Sequence, residues 1–581
     1  MDALLTKIKP ETKTKISGSE ALLRCLVAEG VTTIFGYPGG AIMPIYDALY
    51  SYSEKLHHIL VRHEQGAIHA AQGLARVSGN TSVAFATSGP GAMNLVTGLA
   101  DALIDSTPVV CITGQVAEHL LGTDAFQEAD VINTTLPVTK WNVQITEASS
   151  IPSQVAKAFY IARSGRPGPV LIDITKNAQF EMMEEFSYEP CRHIRTYSPT
   201  PSLDFSAVEE AARLINQAKR PYILAGQGVL LSKATPELRA FVEKTGIPVA
   251  STLLGLSCFP TNHPLYVGFL GMHGNYGANI LTNECDVLIA IGMRFDDRVT
   301  GNVSKYAKQA RVIHIEIDKA EINKIIKADV AVHADAKEAL KALIPLVNVN
   351  RHTDWLNKFH EAHRQEHEKV IQFDFYPPTP GLRMGEVIRE LSEQTNGDAI
   401  IVTDVGQHQM VASRYYPFKN PRTNITSGGA GTMGFALPAA MGAASAQTKQ
   451  QVVAVIGDGG FQMTLQELGT LMQYQIPVKI LLLNNNFLGM VRQWQQLFFE
   501  KRYSFTEMKN PDFVALAEAY SIPGKKVTER KNLKSAIAEM LQTPGPFVLE
   551  AVVEKEENVF PMVPTGASVA EIILEASVKT T

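Results

Sequence analysis

Apolar and polar positions divide this chain into repeated units of a short buried strand, a glycine-containing turn and an amphipathic helix. The clearest unit runs from Gln451 to Gln493. Val452–Ile456 is a continuous β-branched run, the pattern of a strand covered on both faces. Gly457-Asp458-Gly459-Gly460 follows as a turn. Leu465, Leu468 and Met472 then recur at helical spacing, and Val478–Leu483 is a second buried strand ending in Asn484-Asn485-Asn486. A right-handed crossover brings the ends of two such parallel strands together, and ligands of open α/β sheets gather at those carboxyl ends. Asp458 and Asn485 are therefore expected side by side, each offering an oxygen.

The same periods recur from the start. Ser19–Glu29 and Glu64–Val77 read as helices, Thr33–Phe35, Ile59–Val61, Thr81–Thr87, Pro108–Thr113 and Val170–Ile174 as strands, and Asn94–Asp101 as a helix. Tyr197-Ser198-Pro199-Thr200-Pro201 has linker composition. Beyond it the pattern predicts helix Phe205–Gln217, strand Tyr222–Ala225, a Gly226-Gln227-Gly228 turn, helix Pro236–Thr245 and strands Val287–Ile291 and Val312–Ile317. Polar Asn350–Lys369 reads as a connection to a third unit, where Ile400–Thr403 is a strand. The expected class is α/β, with three doubly wound parallel-sheet domains at residues 1–190, 200–347 and 375–553, and a tail, 554–581, folding over a site.

Composition narrows the function classes. With 45% hydrophobic and 19% charged residues, the 581-residue chain has the balance of a soluble globular enzyme. A net charge of -5 gives no footprint for nucleic acid or an anionic membrane. Cys25, Cys111, Cys191, Cys258 and Cys285 lie far apart without a C-x-x-C pair, which argues for a reducing compartment and against a zinc site. No apolar run approaches the roughly 18 residues of a membrane span. The lysine-rich start reads as a short frayed tail rather than a signal peptide, so a cytoplasmic location is expected.

Mg²⁺ takes one or two protein oxygens and fills its octahedron with phosphate and water. A glycine turn into a helix start offers backbone N–H groups to phosphate without side chains in the way. Gly-Asp-Gly alone is a weak motif, more often a bland turn; the asparagines closing the next buried strand strengthen it. This arrangement resembles the signature of thiamine-diphosphate (ThDP) enzymes, which implies that Asp458, Asn485 and the Phe487 carbonyl hold Mg²⁺ beside Gly457, Gly459 and Gly460.

Glu64, where a strand becomes a helix, would by itself be a first-turn carboxylate favouring the helix dipole. ThDP chemistry gives it a second reading, as the carboxyl that shares a proton with N1′ of the coenzyme's aminopyrimidine from an apolar pocket. Val405-Gly406-Gln407-His408 and Gly428–Gly434 fall at predicted strand ends on the same side. Gln407 and His408 can reach diphosphate oxygens, and Met433 is a soft wedge under the coenzyme or else core. In the middle domain, Gly271-Met272-His273-Gly274, Arg294-Phe295-Asp296-Asp297-Arg298, Glu316-Ile317-Asp318 and Asp335 suit a dinucleotide's diphosphate and ribose. A clean G-x-G-x-x-G is missing, and a structural ion-pair cluster stands as the alternative.

Together these motifs resemble, over nearly the whole chain, the FAD-containing biosynthetic acetohydroxyacid (acetolactate) synthase catalytic subunits. The match is carried by Gly36–Gly40, Arg62–Ala67, Gly122–Glu128, Ser164–Pro169, Arg294–Arg298, Gly457–Gly460 and Gly489–Trp494. The resemblance implies ThDP, Mg²⁺ and FAD as cofactors, and ligation of decarboxylated pyruvate to a second pyruvate or to 2-ketobutyrate. It implies catalytic roles for Glu64, Gly36, Phe126 and Gln127, and ThDP contacts from Val405, Gln407, His408, Gly431 and Met433. Arg166, Gly226, Gly228, Thr252, Leu253, Met272, His273, Gly292, Arg294, Asp296, Arg298, Glu316, Ile317 and Asp335 are the implied FAD residues. Trp494, Met490, Arg298 and Lys176 are the implied substrate residues. A homodimer follows, because in such enzymes the glutamate and the diphosphate clamp come from different subunits; a tetramer stays open, and a separate small regulatory subunit is expected. Ala117 and Thr565 depart from the family's frequent proline and serine, so inhibitor sensitivity does not carry over. A pyruvate oxidase, which would pass electrons to the flavin, is the alternative on the same fold.

Overall fold

A computed structural model describes residues 15–575. The ends of the chain, including most of the expected frayed tail, lie outside the described residues. The described chain forms three six-stranded parallel sheets. It divides into two compact units, one built on residues up to Ala75 and on Asn80–Ser198, the other on Arg76–Gly79 and residues from Pro199.

The first unit holds β1 (Thr33–Gly36), β2 (His57–Leu60), β3 (Ser82–Ala86), β4 (Val109–Gln115), β5 (Trp141–Ile145) and β6 (Val170–Thr175), in the order β2-β1-β3-β4-β6-β5. Every residue of β1, β3, β4 and β6 is buried, which is why they read from sequence as continuous apolar runs. Edge strand β5, WNVQI, is half-exposed and polar, and the apolar pattern missed it. Helix Gly18–Ala28 starts where Ser17 accepts a hydrogen bond from the Glu20 N–H, and it buries Leu22, Leu23 and Leu26 against Phe85, Ile112 and Ile172. Helix Ile151–Arg163, also unanticipated, adds Val155 and Phe159 to that core.

The second unit contains two sheets. The central one comprises β7 (Pro221–Ala225), β8 (Val249–Ser251), β9 (Tyr266–Phe269), β10 (Val287–Ile291), β11 (Arg311–Glu316) and β12 (Val330–His333), ordered β9-β8-β7-β10-β11-β12. This is the doubly wound dinucleotide-binding order, and its direction reverses between β7 and β10. The other comprises β13 (Ile400–Thr403), β14 (Asn424–Thr426), β15 (Val452–Gly457), β16 (Val478–Asn484), β17 (Gly524–Val527) and β18 (Phe547–Val552), ordered β14-β13-β15-β16-β18-β17. Only three strands of each sheet were legible; short strands such as β8 and β14, three residues each, carry too few positions for a period to register.

Two expectations are corrected. Asn350–Lys369 is not a bare connection: Thr353–Glu366 is a helix whose Trp355 and Phe359 are buried against Tyr222 and Leu288. Gly457–Gly460 is not a separate turn: β15 ends at Gly457, and helix Asp458–Thr464 begins at the next residue, with Gly457 as its N-cap. Past β18 the chain runs back across the second unit, with the Val563 N–H donating to the Met272 carbonyl at 2.8 Å and Ser568 bridging Gly301. Among the described residues no helix is long and apolar enough to cross a membrane.

Candidate active site

The chemistry-bearing residues of the third sheet lie at the carboxyl ends of β13, β15 and β16. Gly457 pairs with Leu483, so Asp458 and Asn485 both fall just beyond the tips of neighbouring strands. Asp458 is buried; its Oδ2 accepts from Asn510 Nδ2 at 2.7 Å, and burial pushes its carboxyl up to about 6. Asn485 is also buried, with Oδ1 accepting from the Phe487 N–H at 3.1 Å, which turns the chain so that the Phe487 carbonyl follows at once. A carboxylate, an amide oxygen and a carbonyl make a hard-oxygen set, the chemistry of Mg²⁺. Asp458's partners are neutral, so a cation there would relieve the cost of its burial. Among the described residues no cluster of three His, Cys, Asp or Glu offers a competing site.

Glycines make room beside this oxygen set. A Cβ on Gly459 would lie 2.7 Å from Leu488 Cδ2 and 3.6 Å from Met433 Cε, and one on Gly457 would lie 2.8 Å from His408 Nδ1. Gly431 takes a φ of +65°, and Val405 is its nearest side chain. His408 is buried, pushed down to about 3 by that burial, and its Nε2 has no hydrogen-bond partner among the described residues. An orphaned buried polar atom beside a glycine cradle is what a phosphate-bearing ligand would complete. Gln407 differs from expectation in its side chain. Its Nε2 donates to Gln493 Oε1 at 2.9 Å and to the Glu557 carbonyl at 2.7 Å, and its Oε1 accepts from Asn485 Nδ2 at 3.3 Å. Both amide hydrogens are engaged in holding Asn485 and the returning chain, which leaves the backbone N–H at the helix start for a ligand.

Two further residues here escaped the sequence reading. Asn510 Nδ2 reaches Asp458, Asn484 Oδ1 (3.0 Å) and Asn486 Oδ1 (3.1 Å), tying both strand tips together. Asp404 accepts from the N–H groups of Val405 (2.7 Å) and Gly434 (3.0 Å), fixing the glycine loop to β13. Helix Gly489–Phe498 carries Met490 and Trp494, whose ring lies 5.2 Å from that of Phe498.

The central sheet gathers its candidates at the switch point. A Cβ on Gly226 would lie 2.2 Å from the Gly292 carbonyl oxygen, and one on Gly228 2.6 Å from Gly292 Cα, so the turns after β7 and β10 touch backbone to backbone. Only glycine permits that approach. Thr252 and Leu253 follow β8, and Glu316 ends β11 with Ile317 beyond it. Met272 Sδ accepts from Arg298 Nη1 at 3.6 Å. His273 is buried and held neutral at about 4, chiefly by burial, against the opposing pull of the Pro561 and Val559 backbone. Arg294 lies 3.8 Å from Asp296. Asp296 and Asp335 each cap a helix, accepting from Arg298 and Val299 and from Lys337 and Glu338, so both have a structural duty as well.

In the first unit Glu64 opens helix Glu64–Ser78, is buried, and accepts from Asn94 Nδ2 at 2.9 Å. Gly91 and Thr87 lie beside it: a Cβ on Gly91 would be 3.2 Å from Glu64 Oε1. Gly36 ends β1 against Tyr46 and Phe85. The loop Gly122–Glu128 is gathered by its own Glu128 carboxylate, which accepts from the N–H groups of Gly122 and Ala125 and is held below the ordinary range by those bonds. Gln127, at φ +58°, packs its carbonyl on Gly89, while Phe126 is 87% exposed. Arg166 donates to Ser106 Oγ at 2.9 Å, and Lys176 opens a short helix after β6; both belong to this unit.

Comparison with known proteins agrees with these three sheets in turn. Residues 16–134 match the thiamine pyrophosphate enzyme N-terminal TPP binding domain, 208–343 the central domain and 404–551 the C-terminal TPP binding domain. The chain is 46% identical over 571 residues to the acetolactate synthase large subunit of Lactococcus lactis subsp. lactis (strain IL1403), covering 98% of each. It is 45% identical over 563 residues to the acetolactate synthase isozyme 2 large subunit of Escherichia coli (strain K12), 97% of this chain and 100% of that one. Against acetolactate synthase 2, chloroplastic, of Nicotiana tabacum it is 44% identical over 588 residues, covering 99% of this chain and 87% of the relative. Similarity of this extent over all three sheets makes the chain a thiamine pyrophosphate enzyme and, within that class, a member of the acetolactate synthase large-subunit family.

Proposed function

We propose that the protein decarboxylates pyruvate and joins the two-carbon remainder to a second 2-keto acid. Pyruvate as acceptor gives 2-acetolactate and 2-ketobutyrate gives 2-aceto-2-hydroxybutyrate, the first common step toward the branched-chain amino acids. One observation carries this reading: Asp458 and Asn485 stand at adjacent strand tips beside an orphaned His408 Nε2 in a glycine-lined cradle.

Bound thiamine diphosphate supplies the sink for the electron pair left when CO₂ departs. Asp458, the Asn485 side chain and the Phe487 carbonyl would hold Mg²⁺ against its diphosphate. Gly457, Gly459 and Gly460, with Val405, His408, Gly431 and the Gln407 backbone, would line that diphosphate, and Met433 would support the coenzyme from below. Glu64 would exchange a proton with N1′ of the aminopyrimidine. Gly36, Phe126 and Gln127 would border the reacting carbon, and Met490, Trp494, Arg298 and Lys176 the substrate's approach. The central sheet would hold FAD, with Gly226, Gly228 and Gly292 admitting its diphosphate, Arg294 pairing with it, and His273 facing it. The domain limits expected from sequence are kept in this reading, as are a cytoplasmic homodimer and a separate regulatory subunit.

The test is incubation with pyruvate, ThDP, Mg²⁺ and FAD, with and without 2-ketobutyrate, followed by product identification. Acetolactate without lasting bleaching of the flavin is expected. Anaerobic bleaching by pyruvate with no acetolactate would make the protein an oxidase instead. Mixing Glu64→Gln chains with Asp458→Ala chains should recover activity that neither has alone, since each mixed dimer would keep one intact pair.

A further inference from the structure

The loop Gly271–Asn275, which carries Met272 and His273, is held from two directions, and both holds begin on one helix, Gln407–Tyr415. Near its last turn the Arg414 side chain is fully buried and pairs with the equally buried side chain of Glu366 at 2.5 Å. Arg414 Nη1 also donates to the Gly274 carbonyl at 3.0 Å. Glu366 Oε1 accepts from Asn275 Nδ2 at 3.0 Å, and its Oε2 from the Tyr276 N–H at 2.7 Å. Asn275 in turn fixes the loop to β9, its Oδ1 accepting from the Phe269 N–H at 3.0 Å.

The second hold starts at the other end of the same helix. Gln407 donates to the Glu557 carbonyl at 2.7 Å. Two residues on, Val559 is bonded both ways to Gln493, and Val563 then donates to the Met272 carbonyl. The helix whose first turn faces the diphosphate cradle therefore reaches the flavin-side loop through an ion pair at one end and through the returning chain at the other.

A fully buried ion pair is weak evidence for stability, because apolar side chains of like size hold a junction at least as well. What this pair adds is direction: four charge-assisted bonds fix how the loop sits on the helix. We propose that Glu366 and Arg414 are positioning residues that couple the two cofactor sites, so that FAD and ThDP–Mg²⁺ each bind more tightly when the other is present. The proposal rests on the flavin reading of the central sheet given above. Neither side chain touches a reacting atom; their effect passes through His273 and Met272 on one side and the first turn of the helix on the other. Because linkage is reciprocal, the two cofactors must alter each other's affinity by the same factor.

The experiment uses the full-length protein stripped of cofactors. FAD affinity is read from flavin fluorescence with and without saturating ThDP and MgCl₂, and ThDP affinity from calorimetry with and without FAD. The parent is expected to show equal factors in the two titrations, about fivefold or more. The double variant E366M/R414M removes both charges without stranding either, and it should bind each cofactor alone while the factor falls to about one. An unchanged melting temperature would separate this loss from general destabilisation. E366Q leaves Arg414 buried and unpaired, and weaker flavin binding is expected there as well. Independent binding in the parent, or an intact factor in E366M/R414M, would overturn the coupling while leaving the catalytic reading untouched. A parent that makes acetolactate and binds ThDP but never FAD would overturn the flavin reading and this proposal with it.

Discussion

The first and third sheets share one strand order and differ in what stands at the strand tips. Counted from the first strand of each, both run 2-1-3-4-6-5, whereas the central sheet runs 3-2-1-4-5-6. Yet the tips of β1 and β3 carry Tyr37 and Thr87, while the corresponding tips of β13 and β15 carry Asp404 and Asp458. Beyond β2 stands Glu64, answered by the neutral Asn94; beyond β14 stands the glycine loop that Asp404 holds. One topology thus prepares two unlike surfaces. Strand order decides where a ligand collects, and the tip residues decide which chemistry it meets there. On the proposed reading, the first sheet offers the buried Glu64 for proton exchange, and the third offers oxygens and N–H groups for a cation and a diphosphate.

The sharpest way to break that division is Glu64→Gln, which keeps the shape and the Asn94 contact but removes the exchangeable proton. Acetolactate formation should fall by about 10²–10⁴-fold, with ThDP–Mg²⁺ affinity by calorimetry nearly unchanged. A full rate in this variant would end the proton-exchange role. Asn510→Leu strikes the third sheet alone, since it unties Asp458 from Asn484 and Asn486. Loss of such a supporting contact lowers metal affinity by roughly 10–100-fold, and excess Mg²⁺ should restore most of the rate. If the rate stayed low at saturating Mg²⁺, Asn510 would be acting on something besides the metal. Trp494→Leu acts beyond both tips, on the choice of acceptor. One methylene in an apolar pocket is worth about 1–3 kcal/mol, so competition between pyruvate and 2-ketobutyrate should shift toward acetolactate by roughly tenfold. An unaltered product ratio would move the selectivity elsewhere.

What the sequence made legible follows from burial. Strands covered on both faces, such as β10 and β13, are unbroken apolar runs, and their limits agree with the structure to the residue. Edge strands β5 and β17 were missed because they carry polar residues on a solvent side, Asn142 and Gln144 in one and Gly-Lys-Lys in the other, whereas edge strand β2 was read; interior β18 escaped because Glu550 interrupts its apolar run. The helix Thr353–Glu366 was hidden by its charge, although Trp355, Phe359 and Ala362 already formed a stripe at helical spacing. At the site, residues on strand tips were found because the strand ending marks them. Asn510 lies in an irregular loop far along the chain, where no period points to it. Asp404 sits one position before the motif that was noticed, and only its hydrogen bonds reveal its use.

Asp404 also supplies the gentlest probe of the contrast, because the first sheet has Tyr37 at the equivalent tip. Burial raises its carboxyl from 3.8 to about 6, against the opposing pull of the N–H groups of Val405, Gly434 and Ala436. The folded protein therefore holds a proton there that the unfolded chain has already released between about pH 4 and 6. The stabilising contribution is complete below pH 4 and is lost as pH rises through 6, at no more than about 1.4 kcal/mol per pH unit. Asp404→Asn keeps an acceptor for Gly434 and removes the titration. Any bond that Asn makes less well adds an offset independent of pH, so only the slope is diagnostic. Unfolding midpoints of parent and variant measured from pH 4 to 7 should diverge in the variant's favour up to about pH 6 and run parallel above it. Curves parallel over the whole range would mean that this carboxyl titrates in the folded protein as it does in the unfolded chain, and that burial at the strand tip costs it nothing.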